Sequence, residues 1–377
     1  MPVAPHEIAI PADLLPRDGR FGSGPSKVRT EAVEALAKIA PEYLGTSHRQ
    51  ATVRFVVGAL RNGLAELLNL PDGYEVVLGN GGTTAFWDAA AYGLIERRSQ
   101  HLSFGEFSSK FASEVKAAPF LDEPSIISSE PGTHPVAVAE ADVDAYCLTH
   151  NETSTGVAMP LARPDGATAD QLVLVDATSA AAGIRFDASA VDAYYFAPQK
   201  NLGSDGGLWI AALSPAAIER AQRIAASDRW IPTFFDLPTA IDNSRKDQTY
   251  NTPALATIFL AVEQVEWING NGGLEWAASR CEQSASIMYG WADASSYATP
   301  FVADPAQRSP VVATIDLAAP IDATAVSNIL RRHGVVDTES YRKLGRNQLR
   351  IAMFTAIDPD DVEALTHCID YVVERLA

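Results

Sequence analysis

The sequence predicts an α/β fold with a large, mainly parallel sheet, followed by a smaller α+β region. Strand-like apolar runs alternate with helical stretches over residues 74–175, which is typical of a parallel sheet wrapped by helices. The chain of 377 residues exceeds what one core usually holds, so two domains are expected. We predict an arm over residues 1–20 that packs on the small domain, a large domain over 21–270 and a small C-terminal domain over 271–377.

Composition narrows the class of partner. The net charge of −18 argues against nucleic acids and anionic membrane surfaces, and an anionic substrate would need a local basic pocket. Cys147, Cys281 and Cys368 are far apart and show no metal-ligand spacing, so we expect free thiols and no metal site. No apolar run approaches a membrane span, and the first twenty residues lack the order of a secretory signal. A cytoplasmic protein is the expectation.

The loop between the first two predicted helices carries groups that can bind an anion. After a predicted helix over residues 28–39, His48 and Arg49 stand just before an amphipathic helix over 51–68. Arginine offers a planar fork that grips a carboxylate or phosphate, although an arginine at a helix start can also lie in solvent.

A glycine-rich turn follows the first predicted strand. The strand covers residues 74–78, the turn reads GNGGTT with Gly82 and Thr83, and a helix is expected from about Ala85. This order aims backbone N–H groups at a phosphate, and the threonine adds a hydroxyl donor. Glycines also serve plain tight turns, so the turn alone is a weak signal.

Polar and aromatic residues follow the next strands. Phe107 comes after a predicted strand over residues 101–104 and could stack on a bound ring, with a core position as the alternative. A strand over 143–149 ends in the polar run HNETSTG, which is either a cap or a site and contains Thr153.

Asp176 and Lys200 form the central pair of the prediction. Asp176 ends a buried-looking strand over residues 171–176, and Lys200 follows another over 192–197, which we expect to pair with 208–213 as an antiparallel edge. Pyridoxal phosphate (PLP) needs a carboxylate at its pyridine nitrogen and a lysine that carries it as an imine. Ligands of open α/β sheets bind at the carboxyl ends of the strands. A solvated loop lysine is the alternative.

The remaining chain leads into the small domain. Residues 228–252 are expected to be irregular, with Thr252 capping a helix that starts at Pro253. Arg350 stands within an apolar strand and needs a carboxylate partner. Arg342, Lys343 and Arg346 form the densest basic cluster, which is either a site or a solvated loop. The elements expected here are helices over 253–268 and 274–292, strands over 311–317 and 348–354, and helices over 323–332 and 359–376.

Taken together, these segments resemble the phosphoserine aminotransferase family, PLP enzymes of fold type I and class V. The matching pieces run from residue 21 to residue 354 in the family's order: FGSGPSKV, GTSHR, GNGGTT, HNETSTG, VDATS, FAPQKNLG, NTP and LRIAMF. The resemblance implies transfer of an amino group from glutamate to 3-phosphohydroxypyruvate, giving phosphoserine and 2-oxoglutarate.

The resemblance also assigns roles to individual residues. Lys200 would carry PLP, Asp176 would pair with the pyridine nitrogen and Arg350 would bind the α-carboxylate of the substrate. The further contacts that it implies are Thr153 with the ring oxygen, Phe107 over the ring, Gly82, Thr83 and Gln199 with the phosphate, Thr178 nearby, and His48 and Arg49 with the distal anion. Asn251 and Thr252 would reach the phosphate in the partner subunit, which implies a homodimer with shared sites.

The sequence departs from many relatives at two places. Thr83 replaces an arginine, and the stretch SYRKLGRNQLR lacks the usual His-Arg pair, so Arg342, Lys343 or Arg346 must substitute. These departures leave open a preference for phosphohydroxythreonine of vitamin B6 synthesis. The alternatives are another class V aminotransferase of the alanine–glyoxylate type and a catalytically silent PLP-binding protein.

Overall fold

The computed structural model describes residues 5–376. Its α-helices are α1 Thr30–Tyr43, α2 Ala51–Leu67, α3 Thr83–Gly93, α4 Glu106–Ala117, α5 Pro215–Ala225, α6 Leu237–Ser244, α7 Leu255–Gly270, α8 Gly273–Ala294, α9 Ala323–Arg332 and α10 Pro359–Leu376. Its strands are β1 Glu75–Asn80, β2 Ser99–Ser103, β3 Ser125–Ser128, β4 Ala145–Thr149, β5 Asn151–Glu152, β6 Val157–Ala158, β7 Leu172–Asp176, β8 Ala193–Phe196, β9 Leu208–Leu213, β10 Ala298–Pro300, β11 Val312–Leu317 and β12 Gln348–Ala352.

A seven-stranded sheet forms the centre of the fold, with the order β1-β9-β8-β7-β4-β2-β3. The predicted class is therefore confirmed, since β3, β2, β4, β7 and β8 run parallel. The predicted antiparallel edge is wrong: β9 is antiparallel to both neighbours but lies inside the sheet, and β1 forms the edge. Strands β7, β8 and β9 are buried along their whole length. The pairing of β8 with β9, its neighbour in sequence, therefore did not show which strand forms the edge of the sheet.

Helices cover both faces of this sheet. One apolar cluster contains side chains of α2 and α7, and a separate one contains side chains of α3, α4, α5 and α6. The helix α3 begins at Thr83, two residues before the predicted start. The carboxyl ends of β4, β7 and β8 therefore open between two packed layers, which is where such sheets bind ligands.

Two predictions for the segment before α7 are wrong. Residues 228–252 contain α6 and a 3₁₀ turn, Thr233–Phe235, because Asp236 caps α6 through its side chain and a proline fills the first turn. Helix α7 begins at Leu255 after Ala254, so Thr252 is not its cap.

A three-stranded sheet, β10-β11-β12, packs with α8, α9 and α10 around a separate apolar cluster. Ile8 and Ile10 from the predicted arm are buried in that cluster, while residues 1–4 of the arm lie outside the described part of the chain. The domain boundaries themselves stay a prediction. The cysteines are free and buried, and between residues 5 and 376 no helix is long and apolar enough to cross a membrane.

Candidate active site

A cavity of about 310 Å³ lies at the carboxyl ends of the central strands. It brings together nine of the residues that the sequence singled out. They are Gly82, Thr83, Phe107, Thr153, Asp176, Thr178, Gln199, Lys200 and Arg350. Six segments of the chain therefore converge on one space, five of them from the large domain and one, with Arg350, from β12 of the small sheet.

Lys200 is buried at the base of this cavity. Its Nζ donates a hydrogen bond to Thr153 Oγ1 at 2.8 Å and lies 5.2 Å from the centre of the Phe107 ring. Burial, and then the positive charge of Arg350, lower the pKa of Lys200 to about 8. Lys200 is only 7% exposed, which excludes the solvated-loop alternative, and the lowered pKa favours the neutral amine.

Gly24 shapes the wall beside the lysine. Its φ of +127° suits glycine, and a Cβ there would stand 2.7 Å from Lys200 Cε. The side chain of Lys200 is thus held against bare backbone.

Asp176 faces the cavity from the end of β7. Its Oδ1 accepts hydrogen bonds from the Thr178 N–H at 3.0 Å and hydroxyl at 2.6 Å, and its Oδ2 accepts one from Trp87 Nε1 at 3.1 Å. Burial raises the pKa of Asp176, while these hydrogen bonds and Lys200 act in the opposite direction. A cationic ring nitrogen placed at this carboxylate would favour its ionised form.

The glycine-rich turn leads into the N-terminus of α3. Gly82 provides no side-chain cap, and a Cβ at this position would meet no atom within 4 Å. The Thr83 hydroxyl lies 2.7 Å from that of Thr178, which links the turn to Asp176. Uncapped backbone N–H groups at a helix N-terminus form a site for a phosphate.

Arg350 on β12 also lines the cavity. Its Nε is buried and has no hydrogen-bond partner among residues 5–376. Its guanidinium carbon lies 5.2 Å from the centre of the Tyr341 ring, within range of a cation–π contact. A buried guanidinium donor without an acceptor fits an incoming carboxylate.

The basic cluster before Arg350 is divided between two ion pairs and one unpaired group. Lys343 pairs with Glu106, and Arg346 pairs with Asp316 and lies 4.6 Å from the centre of the Phe301 ring. Arg342 is exposed and has no ion-pair partner within the described part of the chain.

His48, Arg49, Asn251 and Thr252 do not line this cavity. They lie together elsewhere: His48 Nδ1 is 3.2 Å from Thr252 Oγ1, and Arg49 donates a hydrogen bond to Gln248. Asn80, the last residue of β1 and the second residue of the GNGGTT stretch, donates a hydrogen bond to the Thr252 carbonyl oxygen. A role for His48 and Arg49 within the cavity of their own chain is therefore not supported.

Comparison with known proteins agrees with this geometry. Residues 130–346 match the family model of the class-V aminotransferases. A phosphoserine aminotransferase of Nocardioides sp. is 63% identical over 370 residues, which cover 98% of this chain and 99% of that one. The chain belongs to this aminotransferase family.

Solved aminotransferase structures share the architecture. A phosphoserine aminotransferase from Cytophaga hutchinsonii superposes with a TM-score of 0.86 at 25% identity, covering 93% of this chain and 97% of that one. A PLP-bound phosphoserine aminotransferase from Trichomonas vaginalis has the same fold, with a TM-score of 0.78 at 19% identity over 94% of this chain and all of that one. Membership of the class makes PLP the cofactor.

The cavity fits that cofactor on three independent features. A buried amine with a lowered pKa is available for an imine, and a hydrogen-bonded carboxylate stands where a ring nitrogen can meet it. The third feature is the uncapped N-terminus of α3, which offers backbone donors to a phosphate.

Sequence reasoning missed several residues of the site. Trp87 lies four residues after Thr83, so it shares a face of α3 with it, and this spacing could have shown that Trp87 meets Asp176. Tyr341 has no sequence signal, because its place beside Arg350 depends on the loop between α9 and β12. Ser179, which accepts hydrogen bonds from Asn151 and Thr153, was likewise hidden in the VDATS segment.

Proposed function

We propose that this aminotransferase transfers the amino group of L-glutamate to 3-phosphohydroxypyruvate, giving O-phospho-L-serine and 2-oxoglutarate in serine biosynthesis. The observation that carries the proposal is the single cavity that Lys200, Asp176 and Arg350 line together. The 63% identity to a phosphoserine aminotransferase supports the choice of substrates.

Each of the main residues of the cavity has its own role in the reaction. Arg350 binds the α-carboxylate of the amino donor through its guanidinium, whose Nε has no partner among residues 5–376, and so fixes the α-carbon near Lys200. The PLP ring, when bound, accepts the charge that develops at that carbon. Lys200 Nζ removes the α-proton and returns it, for which a pKa of about 8 suits the operating range. Thr153 orients this amine by its hydrogen bond.

Arg342 is the group that we assign to the distal anion of the substrate. Both substrates carry an anion beyond the α-carbon. Arg342 does not line the cavity itself but follows Tyr341, which does, and unlike Lys343 and Arg346 it is exposed without an ion pair in the described chain. The exposed position leaves room for longer substrates, so phosphohydroxythreonine of pyridoxine biosynthesis belongs in the substrate comparison.

We further propose a cytoplasmic homodimer with shared active sites. His48, Arg49, Asn251 and Thr252 lie beside each other and outside the cavity of their own chain. Exposed apolar rings accompany them, Phe55 on α2 and Tyr250 next to Asn251. A second copy that covered these rings would receive the four polar residues at its own cavity mouth. The free, buried cysteines suit a reducing compartment.

The function is tested by spectral titration of the purified holoenzyme with glutamate, phosphoserine, phosphohydroxythreonine and alanine. We expect glutamate and phosphoserine to bleach the cofactor band, with alanine much weaker because it has no distal anion. Lys200→Ala should retain bound cofactor and show no turnover. A preference for alanine would favour the alanine–glyoxylate type, and a band that no amino acid bleaches would favour the catalytically silent protein.

A further inference from the structure

A fully buried carboxylate beside the cavity has no part in the proposed reaction. Glu152 ends β5, directly before Thr153, and its side chain is shielded from solvent. A buried charge is costly unless hydrogen bonds compensate it, so its contacts show what it serves.

Both carboxylate oxygens of Glu152 accept several hydrogen bonds. Oε2 accepts from the backbone N–H groups of Phe107 at 3.1 Å and Ser108 at 2.9 Å. Oε1 accepts from the N–H of Ser154 at 3.1 Å and from its hydroxyl at 2.7 Å. Each of these groups donates to the carboxylate, so both of its oxygens act as acceptors. Glu152 therefore caps the N-terminus of α4 from a distant segment.

The side chain of Glu152 lies so close to the residue before α4 that no side chain fits there. A Cβ at Gly105 would stand 2.2 Å from Glu152 Cγ and 2.4 Å from Cδ. The residue before α4 must therefore be glycine, and Glu152 determines where the first turn of α4 lies.

That first turn carries the aromatic ring of the cavity. The ring of Phe107 lies 5.2 Å from Lys200 Nζ, and the Phe107 N–H is one of the groups that Glu152 holds. Thr153, the next residue along the chain, accepts the hydrogen bond from Lys200. One segment thus fixes both the ring and the amine.

We infer that Glu152 is a positioning residue, which holds the Phe107 ring at the distance from Lys200 that ring stacking requires. The inference rests on the proposed function, because a ring position is of use only if a flat cofactor is stacked there. Without Glu152 the first turn of α4 loses its acceptor, and the aromatic wall shifts relative to the amine.

A double-mutant cycle on the holoenzyme tests this inference. The variants are Glu152→Gln, Phe107→Leu and the two combined. The matched control is Glu114→Gln, which changes an exposed carboxylate on α4, the helix that carries Phe107. Two quantities are measured: the rate of the half-reaction with glutamate, and the visible circular dichroism of bound PLP.

We expect Glu152→Gln to slow the half-reaction roughly 10- to 100-fold, as a misplaced contact does, and to weaken the dichroic band. In the Phe107→Leu background the same change should cost about twofold or less, because residues that act through one another are not additive. The control should match the wild type in both quantities.

Multiplicative effects of the two changes would overturn the inference and leave Glu152 as a helix cap only. If Glu152→Gln does not fold, Gly105→Ala replaces it in the cycle, since its Cβ displaces the carboxylate without removing it. If the wild-type enzyme transaminates and the two substitutions have independent effects on the rate, the inference about Glu152 is refuted and the proposed function stands. If the wild-type enzyme shows no half-reaction, the proposed function itself is refuted.

Discussion

The chemistry of Lys200 depends on where one positive charge stands. Burial lowers its pKa to about 8, and Arg350 is the second cause. Since only the neutral amine attacks the cofactor aldehyde, the rate of PLP capture by the apoenzyme should rise with pH and level off above about 8. Arg350→Gln removes one cause of the lowered pKa, so the midpoint of this profile should move to higher pH.

The measurement is the initial rate of PLP incorporation, followed by absorbance, at a series of pH values. Arg346→Gln is the control, because Arg346 is paired with Asp316 and does not line the cavity. An unchanged midpoint in Arg350→Gln would contradict the electrostatic coupling between the two groups.

Arg350 also has a binding role that can be measured by itself. Arg350→Ala should weaken the binding of every amino acid tested by about 2 kcal/mol or more. The reason is that all of them have an α-carboxylate, which loses its charged partner. Equilibrium titration of the cofactor band gives these affinities. A variant with unchanged glutamate affinity would show that the α-carboxylate binds elsewhere.

At the scale of elements, the pairing of β1 with β9 makes a specific demand on sequence. Gly79 lies opposite Trp209, and a Cβ at Gly79 would stand 2.1 Å from the indole ring. Gly79→Ala should therefore lower the free energy of unfolding by about 1–3 kcal/mol, the usual cost of overpacking a core. Denaturant unfolding monitored by circular dichroism measures the change.

Gly290 in α8 provides the matched control for this substitution. It is exposed, and a Cβ there would meet no atom within 4 Å. Gly290→Ala should raise the free energy of unfolding by about 0.5–1 kcal/mol, since alanine is the better helix former. Equal effects of the two alanines would show that β1 and β9 tolerate a shift in register.

Sequence reasoning predicted the elements that have a local pattern of apolar residues, but not the positions of strands that depend on pairing between distant segments. The apolar runs before Asp176 and after Lys200 have few alternatives to a buried strand, and both are found. The position of β9 inside the sheet depends on β1 reaching it from more than a hundred residues away. Helix α6 was missed because its side-chain cap at Asp236 lies in a segment rich in proline and polar residues.

At the scale of the whole molecule, nine residues that the sequence singled out line one cavity, and the residues that the resemblance places at a partner's cofactor lie outside it. Asp176 ends β7 and Lys200 follows β8, and these strands are parallel neighbours in one sheet, so their convergence was predictable from topology. His48 and Arg49 follow no strand of that sheet, so topology did not predict where they lie. Their place outside the cavity is what the homodimer proposal explains.

Shared sites predict complementation between two inactive variants. Lys200→Ala lacks the essential amine, and Asn251→Ala/Thr252→Ala lacks the groups that would reach the partner's cofactor. A dimer containing one chain of each kind has one complete site, so subunits mixed at random should recover about a quarter of wild-type activity. Lys200→Ala mixed with Arg350→Ala is the control, since both residues line one cavity of one chain and no complete site can form. Recovery in the control, or none in the first mixture, would show that each chain builds its site alone.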